Sequence, residues 1–203
     1  MNQEEIKETA RDAFREMGNI GAGSAVTVLS NIIGKSVTEM LPNVMRLEYD
    51  RLINTFGVEN EKVLGLLFPV HGEISGLLLF VLKKGFISEI FEHLTGEKAE
   101  LGGLSETKMS FLKEIADIMA SAYFTALSSY TKKKVEISVP AVSADMAGAL
   151  VADTAGWAAQ KGPGSVCIET GFAGTDPKEA CHLCFMMYQE STYGFLKSLG
   201  VDI

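Results

Sequence analysis

The chain has 203 residues, 47% of them apolar and 22% charged, which is the composition of a folded globular protein and not of a disordered one. A formal net charge of −8, with no basic cluster apart from Lys132, Lys133 and Lys134, argues against nucleic acid as a partner. The longest apolar run, Leu77 to Leu82, falls far short of the ~20 residues of a spanning helix, and the polar, acidic start MNQEEIKETA lacks a signal-peptide layout; a cytoplasmic protein without membrane contact is expected.

In chain order, a long helix is predicted over 4–33. Ile6, Ala10, Ala13, Phe14 and Met17 recur at helical spacing, and Gly34 ends the pattern. A strand over 35–41 follows, closed by Pro42 because proline cannot donate to a ladder. A short helix from Asp50 to Phe56 comes next. Two paired strands, 62–70 and 74–83, then turn at His71-Gly72 and lead to a helix over 86–95.

Leu101-Gly102-Gly103 marks a seam, after which the series recurs. A helix over 105–130 has Ser105 as its N-cap, with Lys132 to Lys134 at its negative dipole end. A strand over 133–139 is closed by Pro140, and a longer helix runs from Asp145 to Gln160. Strands 163–173 and 178–188 turn at Gly174 to Pro177, and a helix over 190–199 ends the series.

The recurrence is visible residue by residue when the sequence is shifted against itself by 98 places. Glu16/Glu114, Ile20/Ile118, Ala22/Ala120, Thr27/Thr125, Leu29/Leu127, Ser30/Ser128, Lys35/Lys133, Val37/Val135, Pro42/Pro140 and Val44/Val142 are 10 identities in 29 ungapped positions. Unrelated sequences of this composition would give roughly two. The expected fold is therefore α+β, a tandem duplication with pseudo-twofold symmetry, in one domain of two repeats, 1–100 and 104–203. The two would share one sheet covered by the two long helices.

Several site motifs fail on spacing. Gly34-Lys35-Ser36 lacks the first P-loop glycine, since Leu29 stands there. Gly21-Ala22-Gly23 lacks the third dinucleotide glycine, since residue 26 is Val26. His71, His93 and His182 lie in unrelated segments and are read as ordinary surface or core residues. Cys181 and Cys184 flank His182, but positions three apart on a strand face opposite ways; with Cys167 they are read as buried free thiols, and no metal ligand is assigned.

The segment from Asp12 to Gly23 is more informative. Asp12, Glu16 and Asn19 sit at i, i+4 and i+7, so a helix presents them along one stripe. Gly18, Gly21 and Gly23 surround Asn19, although each costs about 1 kcal/mol inside a helix relative to alanine. Such glycines serve the close approach of another surface, either a partner's or the second long helix.

The pattern Asp/Ser-x3-Glu-x2-Asn, 22 residues, then Pro resembles the signature of the CheC/CheX/FliY phosphatases, here as Asp12, Glu16, Asn19 and Pro42 within EMGNIGAGSA. The doubled unit and its length resemble the CheC type along essentially the whole chain. The resemblance implies a hydrolase that dephosphorylates the phosphoaspartate of a CheY-like chemotaxis response regulator. It implies that Glu16 pairs with the regulator's lysine, that Asn19 orients the attacking water, and that Asp12 supports docking. The glycines would let the helix come close, and Mg2+ would arrive with the regulator, the chain needing no cofactor of its own.

The second copy keeps Ser110, Glu114 and Pro140 but has Asp117 at the Asn position, with Ala116, Met119 and Ser121 in place of the glycines. A carboxylate accepts but does not donate, and its charge opposes a phosphoryl group, so this site is expected to be weak, with those three side chains crowding the approach. The resemblance also implies binding of the receptor deamidase CheD, with Asp145 as the contact; the alternative for Asp145 is a helix cap. A monomer is expected. The competing readings are a non-catalytic interaction protein of the chemotaxis or flagellar-switch system and, with little support, a small-molecule sensor.

Overall fold

A computed structural model describes residues 3–47, 53, 54, 60–162 and 164–200, the first five of these as backbone alone. The described helices are α1 (Gln3–Ile33), α2 (Lys84–Thr95), α3 (Glu106–Thr131), α4 (Ala147–Ala159) and α5 (Gln189–Ser198). The strands are β1 (Thr38–Glu39), β2 (Asn43–Arg46), β3 (Lys62–Gly72), β4 (Gly76–Leu82), β5 (Val135–Ile137), β6 (Ala141–Met146), β7 (Val166–Ala173) and β8 (Cys181–Met187).

Helix ends follow local chemistry. Gly34 takes φ +67 and stops α1; Ser105 Oγ accepts from the Lys108 N–H at 3.3 Å and opens α3. Lys132, at φ 58, ends α3 in the left-handed region without the help of glycine.

All the described strands pair antiparallel in one sheet, in the order β1-β7-β8-β4-β3-β5, with β2 also on β7 and β6 also on β3. Exchanging β1 with β5, β2 with β6, β3 with β7 and β4 with β8 returns the same order read from the other edge. The central strands β4 and β8 are buried at every position because both faces are covered. Leu78, Phe80 and Leu82 enter the core beneath α1 and α3, whereas Leu77, Leu79 and Val81 enter a second core beneath α4. That two-sided burial is why Leu77 to Leu82 reads as an unbroken apolar run.

The prolines interrupt strands without ending them. β1 is only Thr38–Glu39, and after Pro42 the chain resumes as β2, both pieces pairing with β7. β5 and β6 do the same around Pro140, both on β3. A missing N–H removes one ladder bond, and the next residues recover the register. His71 and Gly72 remain in β3 because β5 pairs with them, so the turn falls at 73–75. Asp145 and Met146 pair with Val63 and Lys62 as the end of β6, and α4 starts only at Ala147. The predicted helix from Asp50 to Phe56 lies outside the described residues except for Ile53 and Asn54, which are helical.

Candidate functional site

Asp12, Glu16 and Asn19 are all exposed on the stripe of α1 that faces away from the core. What the opposite side buries sets this orientation. Phe14, Met17, Ala22 and Ala25 enter the core, and Gly18 and Gly21 are buried beside them. A Cβ at Gly18 would stand 2.7 Å from Pro42 Cβ and 2.8 Å from Ile168 Cγ2; one at Gly21 would stand 2.6 Å from Tyr123 Cε2 on α3.

Both glycines therefore serve contacts within the chain. Gly21 admits the second long helix and Gly18 admits Pro42, so neither provides the approach of a visiting protein. Gly23 is half-buried, and Glu39 Oε2 lies 3.3 Å from where its Cβ would be. Burial raises the Glu39 pKa above the usual carboxylate range. Arg15 Nη1 lies 4.0 Å from Asp12 Oδ1, an exposed pair of little energetic weight.

On α3, Ser110 and Glu114 are exposed and Asp117 is half-buried. Burial raises the Asp117 pKa; Lys113 opposes the shift and the Glu114 carboxylate adds to it. Ala116 and Met119 belong to the core, so they do not crowd an approach; of the three expected obstacles only Ser121 reaches the surface. Pro42 and Pro140 are both buried, and the residue just before each stands out, Leu41 at 90% exposure and Val139 at 75%.

A second surface feature lies on the other face of the sheet. A cleft of about 240 Å3 is lined by Val142, Asp145, Leu150, Asp153 and the half-exposed Trp157, among others. The Asp145 carboxylate accepts from the Met146 N–H at 2.7 Å, and Met146 is the N-cap of α4 with no side-chain bond to it, so Asp145 does not cap that helix.

The cysteines are free and buried, with Cys181 in the core under α1 and α3 and Cys184 and Cys167 in the core under α4. His182 Nδ1 lies 2.8 Å from Glu169 Oε1 in a buried pair. Among the described residues no three His, Cys, Asp or Glu side chains gather as a metal site would require. No described helix is long and apolar enough to cross a membrane.

Sequence reasoning missed Glu39, Leu41 and Trp157. The shift of 98 places carried a signal for Glu39, because it sets a carboxylate opposite Ile137 at an inward-tending strand position.

The sequence model of the CheC-like family matches residues 10–38 and 108–144, which contain both helical stripes. The CheY-P phosphatase CheC of Bacillus subtilis (strain 168) is 30% identical over 168 residues, covering 81% of this chain and 80% of that protein. The chain belongs to the CheC-like family. CheC-like folds also appear among solved structures. Thermotoga maritima FliY matches with a TM-score of 0.67 and 20% identity over 98% of both chains. The CheX-CheY-BeF3-Mg+2 complex from Borrelia burgdorferi contains a chain matching with a TM-score of 0.58 and 15% identity, over 84% of this chain and 96% of that one. At these identities the likeness establishes the CheC-like architecture, and the chemistry has to be argued from the residues.

Proposed function

We propose that this CheC-like chain hydrolyses the phosphoaspartate of a phosphorylated CheY-like response regulator. The observation that carries the reading is the joint exposure of Glu16 and Asn19 on one stripe of α1, inside a segment that the family's sequence model matches. The name of the Bacillus relative supports the activity, and the CheX–CheY complex supports a regulator as the partner.

Glu16 pairs with a lysine of the regulator and fixes the register of docking, with Asp12 in support. Asn19 reaches the phosphoryl group. Its carboxamide accepts a hydrogen bond from the attacking water and donates another, holding the water in line. Phosphoryl transfer depends on positioning and charge more than on covalent help from the protein, so one placed amide suffices. Mg2+ comes with the regulator and neutralises phosphoryl charge there; Glu16 and Asn19 remain free of metal.

Glu114 and Asp117 form a second, weaker site, because the Asp117 carboxylate repels the phosphoryl group and lacks a donor. The reversal symmetry of the strand order supports one domain of two repeats, 1–100 and 104–203. We also assign the α4 cleft, with Asp145 and Trp157, to the CheD deamidase, and take the chain to be a cytoplasmic monomer.

The test is loss of labelled phosphoryl from the regulator under substoichiometric chain. Acceleration that falls steeply in Asn19→Ala, leaving only the contribution of the second site, supports the proposal. No acceleration by the wild-type chain overturns it in favour of a binding protein.

A further inference from the structure

Residues 39–42 run beside α1 and touch it at two points, Glu39 against Gly23 and Pro42 against Gly18. Asn19 lies between these points. Gly23 is four residues beyond Asn19, on the same outer stripe, where neighbouring Cβ positions are about 5–6 Å apart. The Glu39 carboxylate occupies the space a side chain at Gly23 would fill. It thus extends the stripe of Asp12, Glu16 and Asn19 by one turn, with a group supplied from β1.

The fold does not require a carboxylate there. The matching position in the second half is Ile137, half-buried and packed against the main core. Glu39 is likewise half-buried, and although its backbone pairs with Phe172, its carboxylate has no hydrogen bond and no ion pair among the described residues; the buried Tyr123 phenol is a group that feels its charge. Burial of part of a charged group without a protein partner costs some solvation, so a carboxylate at this position has no evident benefit to the fold. Leu41 stands two residues on, almost fully exposed, as an apolar ledge beside it.

We infer that Glu39 is a further contact residue of the regulator-facing stripe, taking a lysine or arginine of the docked regulator whose aliphatic stem lies over Leu41. This inference rests on the proposed docking of a CheY-like regulator on α1. A long cationic side chain fits both features, since its stem covers apolar surface while its head reaches a charge. A Cβ at Gly23 would stand 3.3 Å from the carboxylate, so the glycine leaves Glu39 its present position.

The experiment measures affinity of the full chain for a CheY-like receiver loaded with beryllofluoride and Mg2+, by fluorescence anisotropy at low and high salt, for wild type, Glu39→Ile, Glu39→Asp and Asn19→Ala. Glu39→Ile is expected to bind about 5–10-fold more weakly at low salt, with a flatter salt dependence, as for a lost charge pair. Its melting temperature should be equal or higher, and Glu39→Asp should keep most of the affinity. Unchanged affinity in Glu39→Ile overturns the inference. So does a lower melting temperature with weakened binding, which would assign Glu39 to the fold, for example beside the buried, unpartnered Tyr123 hydroxyl. Binding without accelerated dephosphorylation would overturn the phosphatase reading and leave Glu39 supported; absence of wild-type binding overturns both.

Discussion

Pro42 closes on the bare α-carbon of Gly18, on the buried side of α1 next to the exposed Asn19. The two residues are 24 positions apart in sequence, yet an added methyl at Gly18 would meet the proline ring at 2.7 Å. Pro42 cannot yield as a flexible side chain would. We expect Gly18→Ala to destabilise the chain by about 1–3 kcal/mol, the usual range for overpacking. Thermal denaturation checks this, and a melting temperature equal to wild type would refute the packing account.

Asn19→Ala should lower regulator dephosphorylation by about 100-fold, the scale of a lost positioning group, with little change in melting temperature because Asn19 is exposed. Asp117→Asn should raise the activity left in an Asn19→Ala background, since it restores a group that both donates and accepts. Steady-state assays of the single and double variants decide both points; a second site unmoved by Asp117→Asn would remove charge as the reason for its weakness.

Glu89 ties three elements together. It accepts from Lys35 Nζ at 2.7 Å and from the Thr175 N–H at 2.9 Å, joining the end of α1, helix α2 and the β7–β8 turn. Burial pushes its pKa up, but the bonds from Lys35 and Thr175 outweigh this and hold it below the ordinary glutamate value. A carboxyl group with a lowered folded pKa binds fewer protons than its unfolded counterpart. The stability it adds is therefore present above the unfolded pKa and is lost as pH falls through the folded one. Glu89→Gln should lower the melting temperature by about 2–4 °C at neutral pH. The difference from wild type should shrink as the solution is acidified below about pH 4; a gap that persists in acid would rule out the ionic explanation.

Trp157 is the only tryptophan in the chain and stands half-exposed at the α4 cleft. Binding of a CheD-type deamidase at that cleft should shift its emission to shorter wavelength, and Asp145→Lys should weaken binding at least tenfold. An emission spectrum unchanged at saturating deamidase would move the contact away from α4.

The helices were legible from their periodicity, and β4 from its run of apolar residues. The strands β2 and β6 were not. They are short and carry several exposed residues, and they form because β7 and β3, more than a hundred residues or some eighty residues away, offer open edges. Asp145 looked like the start of a helix for the same reason. Its local sequence permits a cap, but pairing with Val63 draws it into the sheet. Glu39 shows the converse, since its mismatch with Ile137 was readable and its meaning was not until Gly23 was found beneath it.

By itself the sequence determined the order of the described helices and of the long strands, the family signature, and that Asp12, Glu16 and Asn19 share one stripe of one helix. Only the tertiary structure decided which way that stripe faces and what the glycines serve. Helical spacing sets the angle between residues about their own axis, whereas the direction of that axis toward solvent or core is set by contacts such as Gly18 with Pro42 and Gly21 with Tyr123, which no local interaction encodes.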